Sequence, residues 1–156
     1  VADEPVNWSY LLHTTENPMT VDQSNHRFVH IQATNRGGAS DAYLFSTGTL
    51  QTDTTSRFFY PAVNWLRADD KGVFKKYPNH WHFSSTTVPC KTARFLTVMD
   101  THGKNRPDMQ VVRKGNTIQV GDWTITCNLT EKGKAAIYVI KREGEQQEKE
   151  WTRNYI

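Results

Sequence analysis

Apolar and polar positions along this chain keep a two-residue rhythm, not a helical one. Phe28-Val29-His30-Ile31-Gln32, Ala42-Tyr43-Leu44-Phe45-Ser46, His80-Trp81-His82-Phe83 and Ala93-Arg94-Phe95-Leu96-Thr97-Val98-Met99 all read as strands. Met109–Arg113, Thr117–Val120, Trp123–Cys127 and Ala135–Ile140 follow in quick succession. Turn chemistry separates them. Lys114-Gly115-Asn116, Val120-Gly121-Asp122 and Glu131-Lys132-Gly133-Lys134 each supply the glycine that a tight hairpin uses. No stretch carries an amphipathic helical stripe; Arg142 to Trp151 is charged throughout and reads as a hairpin tip. Strands at such regular spacing predict an all-β fold, an antiparallel β-sandwich of about ten strands in two sheets. The expected core includes Leu12, Phe28, Leu44, Phe95, Val98, Trp123, Ile125, Ile137 and Val139.

Composition narrows the class. The chain has 156 residues, enough for one domain spanning 1–156 with a core of its own. Aromatics at 12% rule out a solvated, disordered tail. No apolar run approaches the ~20 residues of a membrane-spanning helix, so no membrane partner is expected. Val1-Ala2-Asp3-Glu4-Pro5 lacks the basic and apolar regions of a signal peptide, and the expectation is that any such signal has been removed.

The net charge of +3 is unevenly spread. Thr54 to Lys114 holds 11 Lys/Arg against 4 Asp/Glu, or +7; the remainder holds 8 against 12, or −4. This basic middle overlaps the longest irregular stretch, Thr52 to Asn79, and is rich in rings. Flat rings stack on sugar faces or bases, while guanidinium and ammonium groups match carboxylates, sulfates and phosphates. Arg57, Tyr60, Trp65, Arg67, Lys75, Lys76, Tyr77 and His80 are therefore the candidate ligand-binding residues. The alternative is that the rings fill the core and the basic residues surround it.

Other constellations offer less. His26 and His30 share a strand face by spacing, as do His80 and His82, with Trp81 and Phe83 turned to the core; no third metal ligand converges on either pair. Cys90 and Cys127 lack the C-x-x-C spacing of a zinc or redox motif, and are either one disulfide or two thiols. Asp69-Asp70-Lys71-Gly72 reads as a turn, with a structural calcium loop as the open alternative; no other cofactor is expected. Arg36-Gly37-Gly38 is too short to cradle phosphate, and no nucleophile motif stands out.

Several segments together resemble the C-terminal β-sandwich of heparinase II/III-like polysaccharide lyases. They are Trp8–Thr14 with Glu16-Asn17-Pro18, Phe28–Ile31 with Ala42–Thr47, Trp81–Ser85 with Arg94–Met99, and Asn116–Ile118 with Asp122–Cys127. The resemblance implies a sandwich from a bacterial polysaccharide-degrading system, secreted or periplasmic. Those lyases carry a large α/α-toroid ahead of the sandwich. Their catalytic Tyr and His come mainly from that toroid and from an early His-x-His-x-Asp-like run, which this chain does not show. No catalytic residue or metal ligand is carried over, and His13 matches a position read as structural. The expected function is non-catalytic binding of a polysaccharide, acidic in character (uronate or sulfated), with nucleic acid the less favoured partner and a catalytic lyase domain as a neighbour. The alternatives are a lyase acting by β-elimination on uronate polymers and a structural accessory domain bracing a toroid.

Overall fold

The computed structural model describes residues 1–14, 17–35, 37–55, 67–68, 74–75, 81–103, 105–106, 109–130, 136–143 and 147–154; for 67–68, 74–75 and everything from 136 on, it describes the backbone alone. In chain order the strands are β1 (Ser9–Thr14), β2 (Thr20–Asn25), β3 (Phe28–Thr34), β4 (Gly38–Ser46), β5 (Leu50–Thr55), β6 (Arg67–Ala68) and β7 (Phe74–Lys75). There follow β8 (Trp81–Thr87), β9 (Phe95–Gly103), β10 (Val111–Lys114), β11 (Thr117–Val120), β12 (Trp123–Cys127), β13 (Ala136–Glu143) and β14 (Gln147–Asn154). No helix occurs among the described residues. The all-β, antiparallel expectation holds: every strand pair is antiparallel.

The strands form a three-stranded sheet (β1-β8-β5), a four-stranded sheet (β2-β3-β4-β9), a five-stranded sheet (β10-β11-β12-β13-β14) and a short ribbon (β6-β7). The four-stranded sheet lies in the middle, because both of its faces are buried. Val29, Ile31, Ala42 and Leu44 pack with Leu50 and Phe83 of the three-stranded sheet. On the opposite face Phe28, Tyr43, Phe45, Leu96 and Val98 pack with Ile118, Val120, Ile125 and Cys127 of the five-stranded sheet. This is why Ala42-Tyr43-Leu44-Phe45 is an unbroken apolar run: alternate side chains serve two cores. Val29, Ile31, Leu44, Phe83 and Ile118 are fully buried, each stabilising the fold by about 1.5–3 kcal/mol through its side chain.

The chain crosses from the middle sheet to the three-stranded sheet over Thr47-Gly48-Thr49. The Thr47 amide donates to the Arg94 carbonyl at 3.1 Å, and the Arg94 amide donates to Thr47 Oγ1 at 3.0 Å. The N-terminal segment is held to the end of β8. Trp8 Nε1 donates to the Cys90 carbonyl at 3.1 Å, and the Trp8 amide to Thr87 Oγ1 at 3.1 Å.

Two of the turns read from the sequence, at Gly115 and Gly121, join strands of the five-stranded sheet, while Glu131–Lys134 lies outside the described residues. Gly115 and Gly121 have φ of 61° and 54°, and Asn116 and Asp122 do not share this sign. One positive φ at the first central residue is the requirement of a type II′ hairpin. β13 and β14 pair antiparallel up to Glu143 opposite Gln147; the residues between, where the sequence puts a hairpin tip, lie outside the described set. One core expectation is corrected. Trp123 shares the face of Ile125 and Cys127 but is 36% exposed, because its register partner is Val120 beside the turn, at the rim of the core. The side chains of Ile137 and Val139 lie outside the described set. Cys90 and Cys127 are both free thiols, and burial pushes the Cys127 thiol pKa up.

Candidate functional site

The register of the middle sheet brings polar residues together at one end of its second core face. In an antiparallel pair, residues directly opposite share a face. Gln32 stands opposite Asp41, and Asp41 opposite Asp100; His30 stands opposite Tyr43, and Ala39 opposite His102. The side chains of Asp41 and His102 are 2% and 3% exposed, and that of His30 is 20% exposed.

Asp41 is the hub. His30 Nε2 donates to Oδ1 at 2.8 Å, Gln32 Nε2 donates to the same oxygen at 2.9 Å, and His102 Nε2 donates to Oδ2 at 2.8 Å. Burial alone would raise the Asp41 pKa, but the three hydrogen bonds and the field of His30 outweigh it and hold the carboxyl below its usual value. His102 is shifted the other way: its bond to Asp41 first, then that of Nδ1 to the Gly103 carbonyl at 2.9 Å, raise its pKa. The His30 ring stacks on Tyr43, with centroids 4.4 Å apart and planes 5° from parallel. Tyr43 Oη in turn donates to the Met109 carbonyl.

At the same end of the middle sheet, but on its other face, toward β1, a cleft of about 560 Å³ opens, with the backbone of the hub's strands between them. Its walls are the end of β1 (His13, Thr14), the end of β3 with Asn35 (Ala33–Asn35), the start of β4 (Gly38–Ser40) and the end of β9 (Thr101, His102). The β3–β4 hairpin is closed by reciprocal backbone bonds between Asn35 and Gly38; Arg36 lies outside the described residues. Gly38 is pressed against β9: a Cβ there would sit 3.3 Å from the His102 carbonyl oxygen. Four hydroxyl residues (Thr14, Thr34, Ser40, Thr101) and Asn35 line the cleft together with Ala33, Gly38 and Ala39, and most of the exposed lining surface is carbon. Behind His13, on the outer face of the three-stranded sheet, stands its register partner His82, the ring centroids 4.1 Å apart.

The candidates from the sequence fall elsewhere. Arg57, Tyr60, Trp65, Lys76, Tyr77 and His80 lie outside the described residues. Arg67 and Lys75 face each other in register across the β6–β7 ribbon. His82 is on the face opposite Phe83, as the alternation required. His26 does not share the strand face of His30, because it sits in the β2–β3 turn. Each imidazole at Asp41 engages a different oxygen, and no group of three His, Cys, Asp or Glu among the described residues could hold a metal ion. Sequence reasoning passed over Asp41 and His102. The available signal was a single acid abutting the most apolar run of the chain, which requires partners for its charge.

No family model and no curated protein matches this chain.

Proposed function

We propose that this domain binds a polysaccharide without transforming it, seating the glycan in the cleft at the end of the middle sheet. The observation that carries the reading is the cleft lining. Thr34, Asn35, Ser40 and Thr101 bring hydroxyls and an amide of the kind suited to sugar hydroxyl groups, and Thr14, whose hydroxyl donates to the Asn17 carbonyl, bounds the cleft from β1. Binding is favoured over catalysis because the groups best placed to move a proton, Asp41 and His102, are spent on each other and on Gly103. The acidic character of the glycan follows from the +7 balance of residues 54–114, within which Arg67 and Lys75 lie opposite each other. The similarity of its strand segments to heparinase II/III-like lyases supports the same class of ligand, a bacterial source, a secreted or periplasmic setting and a lyase domain as partner.

The test is retention in affinity gels containing uronate or sulfated polymers, compared at two salt concentrations. Replacing Asn35 and Thr101 together by Ala is expected to abolish most of the retention while the β-sheet circular dichroism is unchanged. Retention equal to that of the parent chain would overturn the site. A steady protein-dependent rise in ultraviolet absorbance from unsaturated products would instead establish a lyase. Added salt should weaken binding to acidic polymers.

A further inference from the structure

We propose that the proton on His102 sets the shape of the cleft, so that the site closes on its ligand in the protonated state and slackens when the proton leaves. The nature of that ligand rests on the glycan reading; the switch itself does not.

Both ring nitrogens of His102 face oxygens that can only accept. Nε2 is 2.8 Å from the ionised Asp41 Oδ2, and Nδ1 is 2.9 Å from the Gly103 carbonyl. A neutral imidazole has one N–H and one lone pair, so it satisfies only one of these contacts. The imidazolium satisfies both. When the proton leaves, a nitrogen lone pair is set against an oxygen lone pair, and one contact must open. Asp41 stays anchored by His30 and Gln32. The arm that gives is the one to Gly103, at the last residue of β9. That strand end is a wall of the cleft, with Gly38 packed directly on its backbone, so the slack passes to the hairpin opposite.

Among the described residues, the charged groups around the ring are few. Asp41 faces it from β4. Asp100 lies two residues back on the same face of β9, and Arg106, in the following loop, is paired with Asp100, so their influences on His102 oppose each other. His30 of β3 acts through the shared carboxylate, and His13 of β1 lines the same cleft. The raised pKa of His102 agrees with this balance.

The experiment follows the ring nitrogens of His102 by nitrogen-15 NMR in the intact chain between acidic and alkaline pH, together with amide exchange at Thr101–Gly103 and the affinity for an acidic oligosaccharide. Both nitrogens are expected to be protonated at pH 6.5 and to titrate in one step above it. Exchange at Thr101–Gly103 should quicken in that step by more than the base-catalysed trend of exposed amides. If the ligand needs the protonated state, affinity falls about tenfold per pH unit above the midpoint. In His102→Gln the step in exchange should vanish. A His102 that is neutral at pH 6.5, or exchange that ignores its titration, overturns the switch. Absence of oligosaccharide binding at every pH overturns the glycan reading alone, because the ring titration and the exchange still decide the switch.

Discussion

Asp41 accepts three hydrogen bonds in a site where its side chain is almost wholly covered, so the charge of this one residue ties β3, β4 and β9 together. Removing one partner from a buried, hydrogen-bonded ion pair is worse than never having the pair, because the other charge is left stranded. The two titrations bracket the stable range. Asp41 is depressed from 3.8, so its contribution is complete above that value and fades as pH falls through the folded pKa. His102 is raised from 6.5, so its contribution is complete below that value and fades as pH rises through the folded pKa. Urea midpoints measured across pH should therefore show a plateau from about 4 to 6.5 with a decline on each side. Asp41→Asn should lower the plateau and flatten both shoulders. A profile in the variant with the same shoulders as the parent would show that other groups set the pH range.

Elements were more legible in the sequence than the site was. The hairpins of the five-stranded sheet followed from glycine placement, since Gly115 and Gly121 stand where the backbone needs φ of 61° and 54°. At Gly121 the space is also limited: a Cβ would lie 3.3 Å from Met109 Sδ. Gly121→Ala should cost about 1–2 kcal/mol from the left-handed backbone, with chemical denaturation as the measurement. Gly115→Ala, with open space around it, isolates the backbone contribution from the contact. Trp123 was misplaced because alternation assigns a face and does not say how far along the strand the facing sheet extends. The Asp41 hub was missed for a related reason. It joins His30 and Gln32 of β3 to His102 of β9 through Asp41 of β4, and the contact between Asp41 and His102 spans 61 residues of chain. Local periodicity is blind to such pairings.

Across the whole molecule, the continuous run Ala42–Phe45 was visible, but its meaning was the layering. A strand with apolar side chains on both faces belongs to a sheet covered twice. The two cores are chemically distinct. One joins the middle sheet to β5 and β8, and the other joins it to β11 and β12. Leu44 is fully buried in the first, so Leu44→Ala should cost about 2–5 kcal/mol. Because β4 supplies both cores, that loss should appear as one cooperative transition with fluorescence and circular dichroism coinciding. Two separated transitions would mean that the cores unfold independently.

The pairing of β5 with β8 carries a consequence for how this protein can change over time. Their register runs unbroken from Leu50 opposite Thr87 to Thr55 opposite His82, so the end of β5 and the start of β8 lie side by side. Because those ends are already adjacent, a change in the length of the chain joining them adds little closure entropy and leaves the β5–β8 register intact. A glycine-serine insertion between Thr55 and Trp81 should therefore leave the unfolding midpoint almost unchanged, whereas the same insertion inside β4 should unfold the domain.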